Sequence, residues 1–301
     1  MLGRAWLFND GKLRAGWRIV LYLALFLLLS LAGRFTASLT PRDPLGWVGL
    51  AVGVAAALVP GWLLLIRLDG RAPGALGFAF SRVAPREVLA GIGVGGALIG
   101  FASGLLIVTG AAHFVPDSGT PIGYVLSLAW TLLYFGLAAA YEEAVFRGYA
   151  FQALVEGLGA APAVVVSSAL FAAAHAANPH VDAVAFANIF LAGILLALAY
   201  LRTRSLWFAT AVHAGWNWTM ASLFAFPVSG LTMIDTPLYD IVESGRAWWT
   251  GAAFGPEAGL AGSFALVVGV IWLARTRALG EAPRMRRLRP LVDSRLPVEG
   301  A

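Results

Sequence analysis

The sequence predicts an all-α fold: a polytopic membrane helix bundle of about eight transmembrane helices, with both termini cytoplasmic. Three observations carry that expectation. Hydrophobic residues make up 59% of the 301 positions and charged residues only 12%, about half the charged share of an ordinary soluble domain. The apolar residues come in long unbroken runs. In lipid that means helices, which satisfy their own backbone, whereas a β-barrel would alternate apolar and polar positions. Finally, the basic residues, all arginine except Lys12, sort to one side once the runs are threaded through a bilayer.

The runs lie at 17–33, 45–66, 88–112, 123–152, 161–178, 185–201, 206–226 and 259–274. Each has spanning or near-spanning length, the fifth being short. Residues 19–33 could serve as the apolar core of a signal peptide. No A-x-A site follows and Arg34 does, so the run reads as an uncleaved first helix. The 69–87 connector, "DGRAPGALGFAFSRVAPRE", is rich in Gly, Pro and Arg. The third run repeats glycine every four positions (Gly91 and Gly95; Gly96, Gly100 and Gly104), a spacing that lets helix backbones approach closely. The fourth is uncharged until it reaches "YEEAVFRGY". The 227–258 segment is the longest outer loop, and its Trp248–Trp249 pair suits a membrane interface.

With both ends inside, every Lys and Arg except Arg34, Arg42 and Arg246 falls on the cytoplasmic side, and an odd number of spans would break that alternation. The basic tail, 275–301, is then a topology anchor that touches anionic lipid, and the formal charge of +5 needs no nucleic-acid partner. The whole chain, 1–301, reads as a single multi-pass domain of the inner (plasma) membrane. It has no cysteine, which excludes disulfides, thiol nucleophiles and thiolate metal sites.

Ionisable groups at membrane depth are costly and tend to be functional. Glu142 and Glu143 are neighbours on a helix and point about 100° apart, so they cannot share a face. Glu143 stands four residues before Arg147, the favourable order for an ion pair. Glu142 has no such local partner, and a desolvated, unpaired carboxylate is suited to take a proton. The competing reading places both acids at a wet helix end. His175 lies in the apolar fifth run, one turn after Phe171. His213 and Asn217 share a face of the seventh run. Each could equally be a hydrogen-bonded packing residue. At about 1.5 Å per residue, Glu142, His175 and His213 come out ~15, ~20 and ~10 Å from the cytoplasmic side, close enough for one intramembrane site. Two imidazoles, a carboxylate and an amide suffice for water-mediated hydrolysis. Two His and one Glu are also a zinc-like ligand set, although the H-E-x-x-H motif is absent.

"EEAVFRG", "SSALFAAAH" and "HAGWN" resemble the three motifs of the CAAX protease and bacteriocin-processing family of intramembrane proteases, E-E-x-x-x-R, F-x-x-x-H and H-x-x-x-N. The resemblance covers about 130–220, which it marks as a catalytic core; Ala197 stands where many relatives have a second glycine. It implies a glutamate-dependent endopeptidase whose site opens toward the cytoplasm. Glu142 would activate water with help from His175, Glu143 and Arg147 would form a supporting pair, and His213 with Asn217 would hold the oxyanion. The family is often called a metalloprotease family. The preferred reading here requires no cofactor and assigns no metal ligand, with a divalent metal such as zinc left open. The expected substrate is a membrane protein or lipidated peptide, prenylated or CAAX-like. The rival readings are a non-catalytic membrane partner or bacteriocin-immunity protein that keeps the polar groups for packing, and a transporter with a protonatable glutamate.

Overall fold

Helix α1 (Ala15–Ser38) packs on α2 (Trp47–Arg67), with Gly33 set against the Val52 side chain. These elements belong to a computed structural model that describes residues 7–9, 12–38, 46–232 and 234–293. Arg4, Arg42 and Arg295, used above in the charge reading, lie outside the described residues. The chain continues through α3 (Ala84–Val108), α4 (Pro121–Arg147), α5 (Tyr149–Leu158), α6 (Ala160–Ala174), α7 (Ala183–Thr203), α8 (Leu206–Trp218), a short α9 (Ala247–Thr250), α10 (Leu260–Arg275) and α11 (Pro283–Leu288). Two small antiparallel ribbons accompany them. One pairs β1 (Phe8–Asn9) with β2 (Lys12–Leu13), and the other pairs β3 (Ala112–Pro116) with β4 (Tyr239–Glu243), Ala112 facing Glu243.

The protein is a polytopic all-α membrane bundle. Among the described residues, five helical stretches are long and apolar enough to cross a membrane: Ala15–Thr36, Trp47–Arg67, Ala84–Val108, Pro121–Leu158 and Ala183–Thr203. Ala160–Ala174 and Leu260–Arg275 are shorter apolar helices. The side chains are sorted for lipid. Leu28, Leu31, Phe35, Leu89 and Val108 point outward, while Ser127, Thr131, Glu143, Arg147, Gln152 and Asn188 are buried inside.

α8 forms the centre and is buried on nearly every side. It meets α3 at backbone contact. A Cβ at Gly95 would stand 1.9 Å from the Val212 carbonyl oxygen, and one at Gly215 would stand 2.5 Å from that of Ile92. Gly91 and Gly95 therefore serve packing. Gly104 meets open space and does not.

Three runs differ from their expected extents. The fourth is not one helix through 152. It breaks at Gly148, where ψ is −135° and a Cβ would stand 2.1 Å from the Ala144 carbonyl oxygen. The fifth stops at Ala174, so His175 is the C-terminal cap and not an interior residue. The seventh leaves α-geometry after Trp218 for a π-turn, Thr219–Leu223, held in part by Ser222 Oγ donating to Thr131 Oγ1 at 2.9 Å.

Candidate active site

Glu143 and Arg147 are both fully buried on the inner face of α4, and Arg147 Nη1 donates to Glu143 Oε1 at 3.0 Å. The guanidinium is held from two further directions. Nη2 donates to the Gly193 carbonyl of α7 at 3.0 Å, and the Phe171 ring of α6 lies 4.4 Å from its central carbon. α7 comes this near α6 because residue 193 is glycine; a Cβ there would meet the Ser168 Cα at 2.8 Å. Ser167 Oγ ties α6 to the Phe146 carbonyl at 2.7 Å. The pair therefore closes a junction of α4, α6 and α7.

Phe171 also arranges the imidazoles. Its carbonyl accepts from His175 Nδ1 at 2.8 Å, and its ring lies 4.7 Å from that of His175 and 6.0 Å from that of His213. A carbonyl oxygen can only accept, so the neutral His175 ring carries its proton on Nδ1 and leaves Nε2 as an acceptor. His213 Nδ1 lies 3.0 Å from Glu143 Oε1, which fixes the same tautomer on the second ring. Both Nε2 atoms face one oxygen. Glu142 Oε2 is 3.8 Å from His175 Nε2 and 3.9 Å from His213 Nε2. It is buried and accepts no hydrogen bond from the described protein groups.

Glu142, His175, His213 and Asn217 all line one cavity of about 580 Å³. Its walls are α4 (Tyr134, Tyr141), α6 (Phe171, Ala174), α7, α8 and the 225–234 segment, with Glu257 from the turn before α10. No lining residue comes from 67–87, 148–160 or the tail beyond 275. The exposed lining residues are Ala174, Leu231 and Thr232, so the mouth lies between the end of α6 and the segment after the π-turn. The opening therefore does not lie at the end that carries the basic 67–87 connector and the residues beyond 275. That end is filled by Gln152, whose Nε2 donates to the Ala75 and Leu76 carbonyls and whose Oε1 receives Leu291 N–H at 3.0 Å. Leu291 is thereby held against α5.

A zinc bound tetrahedrally at about 2.1 Å needs its donors about 3.4 Å apart. The observed 3.8 and 3.9 Å are wider. Among the described residues, no group of three His, Asp or Glu side chains is disposed to hold a metal ion. The donor set as arranged is too wide for zinc.

The three helix-borne motifs that meet here lie in one segment with a known counterpart. Residues 124–219 match the family model described as Type II CAAX prenyl endopeptidase Rce1-like. Over this segment, about a third of the chain, the protein is similar to the CAAX prenyl endopeptidases. No curated protein is matched by the chain. The matched segment holds all six polar residues singled out in the sequence, Glu142, Glu143, Arg147, His175, His213 and Asn217. It excludes the 225–234 wall and Glu257. Sequence reasoning missed the His213–Glu143 bond, which joins residues 70 apart, and it missed Glu257. The second had a signal: a single acid inside the small, turn-rich stretch "FGPEAG".

Proposed function

We propose that the chain is an intramembrane endopeptidase that cuts a peptide bond of a membrane-associated substrate, a lipidated or CAAX-like chain end, with a water activated by Glu142. The observation that carries this reading is the convergence of both histidine Nε2 atoms on Glu142 Oε2 inside one cavity. A water at hydrogen-bond distance, about 2.8 Å, from two atoms 3.8 Å apart fits beside them without strain. It donates one hydrogen to Glu142 and the other to His175 Nε2, which leaves an oxygen lone pair for the carbonyl carbon of the substrate. As the C–O bond forms, Glu142 takes the proton. It then passes that proton to the amide nitrogen as the C–N bond breaks. The Asn217 side chain supplies an N–H to the oxyanion. His213 serves there only as imidazolium, because its neutral form presents a lone pair at Nε2. Glu143, 3.0 Å from Nδ1, offsets the positive charge.

In this reading the enzyme needs no metal. It sits in the inner (plasma) membrane with both termini cytoplasmic, as the arginine asymmetry supports. The test compares membranes carrying wild type and Glu142→Gln by terminal-peptide proteomics. New chain ends that depend on Glu142 are expected. Identical sets of ends would favour the non-catalytic reading.

A further inference from the structure

Glu257 is a second carboxylate in the active cavity, and the mechanism does not use it. It comes from the turn between α9 and α10, and the Asn188 amide anchors its backbone, donating to the Glu257 carbonyl at 2.8 Å. Its side chain is aimed by three neutral donors. Trp216 Nε1 donates to Oε1 at 3.0 Å, and Ser229 N–H and Oγ donate to Oε2 at 2.8 Å each. Ser229 is held in turn by Asn178, whose amide donates to the Ser229 carbonyl at 3.0 Å. Trp216, Ser229 and Asn178 line the same cavity.

These bonds explain how the loop is held. They do not offset the charge. Among the described residues Glu257 makes no ion pair. The cavity lining holds Glu142 and Glu257 but no Lys or Arg. A carboxylate offers about four acceptor sites, so three donors leave room for one more. An uncompensated carboxylate in a partly enclosed cavity favours a cation.

The position fits a substrate subsite. Trp216 follows His213 by three residues on α8, about 4.5 Å along the axis. An extended peptide advances about 3.3–3.6 Å per residue, so a chain lying across Glu142 reaches Glu257 within about three residues. We propose that Glu257 is a specificity residue. It pairs with a cationic side chain, Lys or Arg, that the substrate carries within about three residues of the bond cut. The inference rests on the protease reading above and narrows its substrate class.

Terminal-peptide proteomics of membranes carrying full-length wild type, Glu142→Gln, Glu257→Gln and Glu257→Asp tests it, with thermal melting in detergent as the check on folding. Ends present in wild type and lost in Glu142→Gln define the cut sites. Lys or Arg should be enriched at one fixed position within three residues of those cuts. Glu257→Gln should lower cutting at these sites by at least roughly tenfold relative to sites without the cation, and Glu257→Asp should keep the preference. Glu142-dependent cuts with no Lys or Arg enrichment would overturn the inference and leave the protease reading intact. Unchanged enrichment in a folded Glu257→Gln would also overturn it. If Glu257→Gln does not fold, the wild-type and Glu257→Asp profiles decide. The absence of any Glu142-dependent cut would remove the protease reading, and this inference with it.

Discussion

His213 joins the two adjacent glutamates: its Nδ1 lies 3.0 Å from Glu143 Oε1 and its Nε2 lies 3.9 Å from Glu142 Oε2. One imidazole thus connects a fully buried carboxylate paired to arginine with a carboxylate that faces the cavity. The two acids occupy different environments because they point in different directions from α4.

Glu142→Gln and Glu143→Gln should therefore fail differently. Glu142 carries no counter-ion bond that holds the bundle, so its amide variant should melt like wild type and lose all Glu142-type cleavage. Glu143 holds Arg147 and His213 together. Removing its charge leaves Arg147 buried and unpaired, at a cost of about 3–5 kcal/mol. Detergent melting should show a clear drop for Glu143→Gln alone, and its activity should fall as well because His213 loses its orienting partner. Equal melting temperatures would contradict this division.

That division was legible in the sequence, since the 100° separation and the i, i+4 spacing are local facts. So was the burial of Gly91 and Gly95, which recur at helical spacing. What could not be read was anything set by tertiary contact. The Nδ1 bond of His213 depends on how α8 crosses α4. The capping position of His175 depends on where α6 frays. The β3–β4 ribbon pairs segments more than 120 residues apart. Nor could the place of the cavity's mouth be read, because the basic residues do not show that Gln152 bonds Ala75 and Leu291 at that end.

His213→Asn tests the role of the outer nitrogen. The asparagine amide reaches the place of Nδ1 and can still donate to Glu143, but nothing remains at Nε2. The variant should melt within a few degrees of wild type while cleavage falls about 10²–10³-fold, the usual worth of one oxyanion donor. Retained cleavage would mean that His213 acts only through Glu143.

Arg147→Lys should not rescue the arginine. The guanidinium bonds Glu143 and Gly193 and stacks on Phe171 at once. An ammonium cannot match that planar fork. Stability in detergent should fall nearly as far as in Glu143→Gln. A wild-type melt for Arg147→Lys would show that charge alone suffices at the junction.

The glycines of α3 give a contrast that needs no catalytic assumption. A Cβ at Gly95 would stand 1.9 Å from the Val212 carbonyl oxygen, beside His213, whereas Gly104 faces open space. Gly95→Ala should push α8 outward and lower both folded yield and cleavage. Gly104→Ala should be neutral within about 0.5 kcal/mol. Similar behaviour of the two variants in yield and melting would refute the backbone-contact account.

Glu142, His175 and His213 would be the ligands of a zinc site, with both Nε2 atoms deprotonated and oriented by Phe171 and Glu143. Such a site would require Glu142 to move by several tenths of an ångström toward each ring, from 3.8 and 3.9 Å to about 3.4 Å. It would also remove the base, since a carboxylate bound to zinc cannot take the proton of the zinc-bound water. Glu143 is poorly placed to replace it, because Arg147 and His213 hold its Oε1 and its Oε2 is buried away from solvent. Activity is therefore expected to survive dialysis against a strong chelator, with less than one zinc per chain by elemental analysis. One zinc per chain, lost together with activity and restored with it, would make Glu142 a ligand and require a different base.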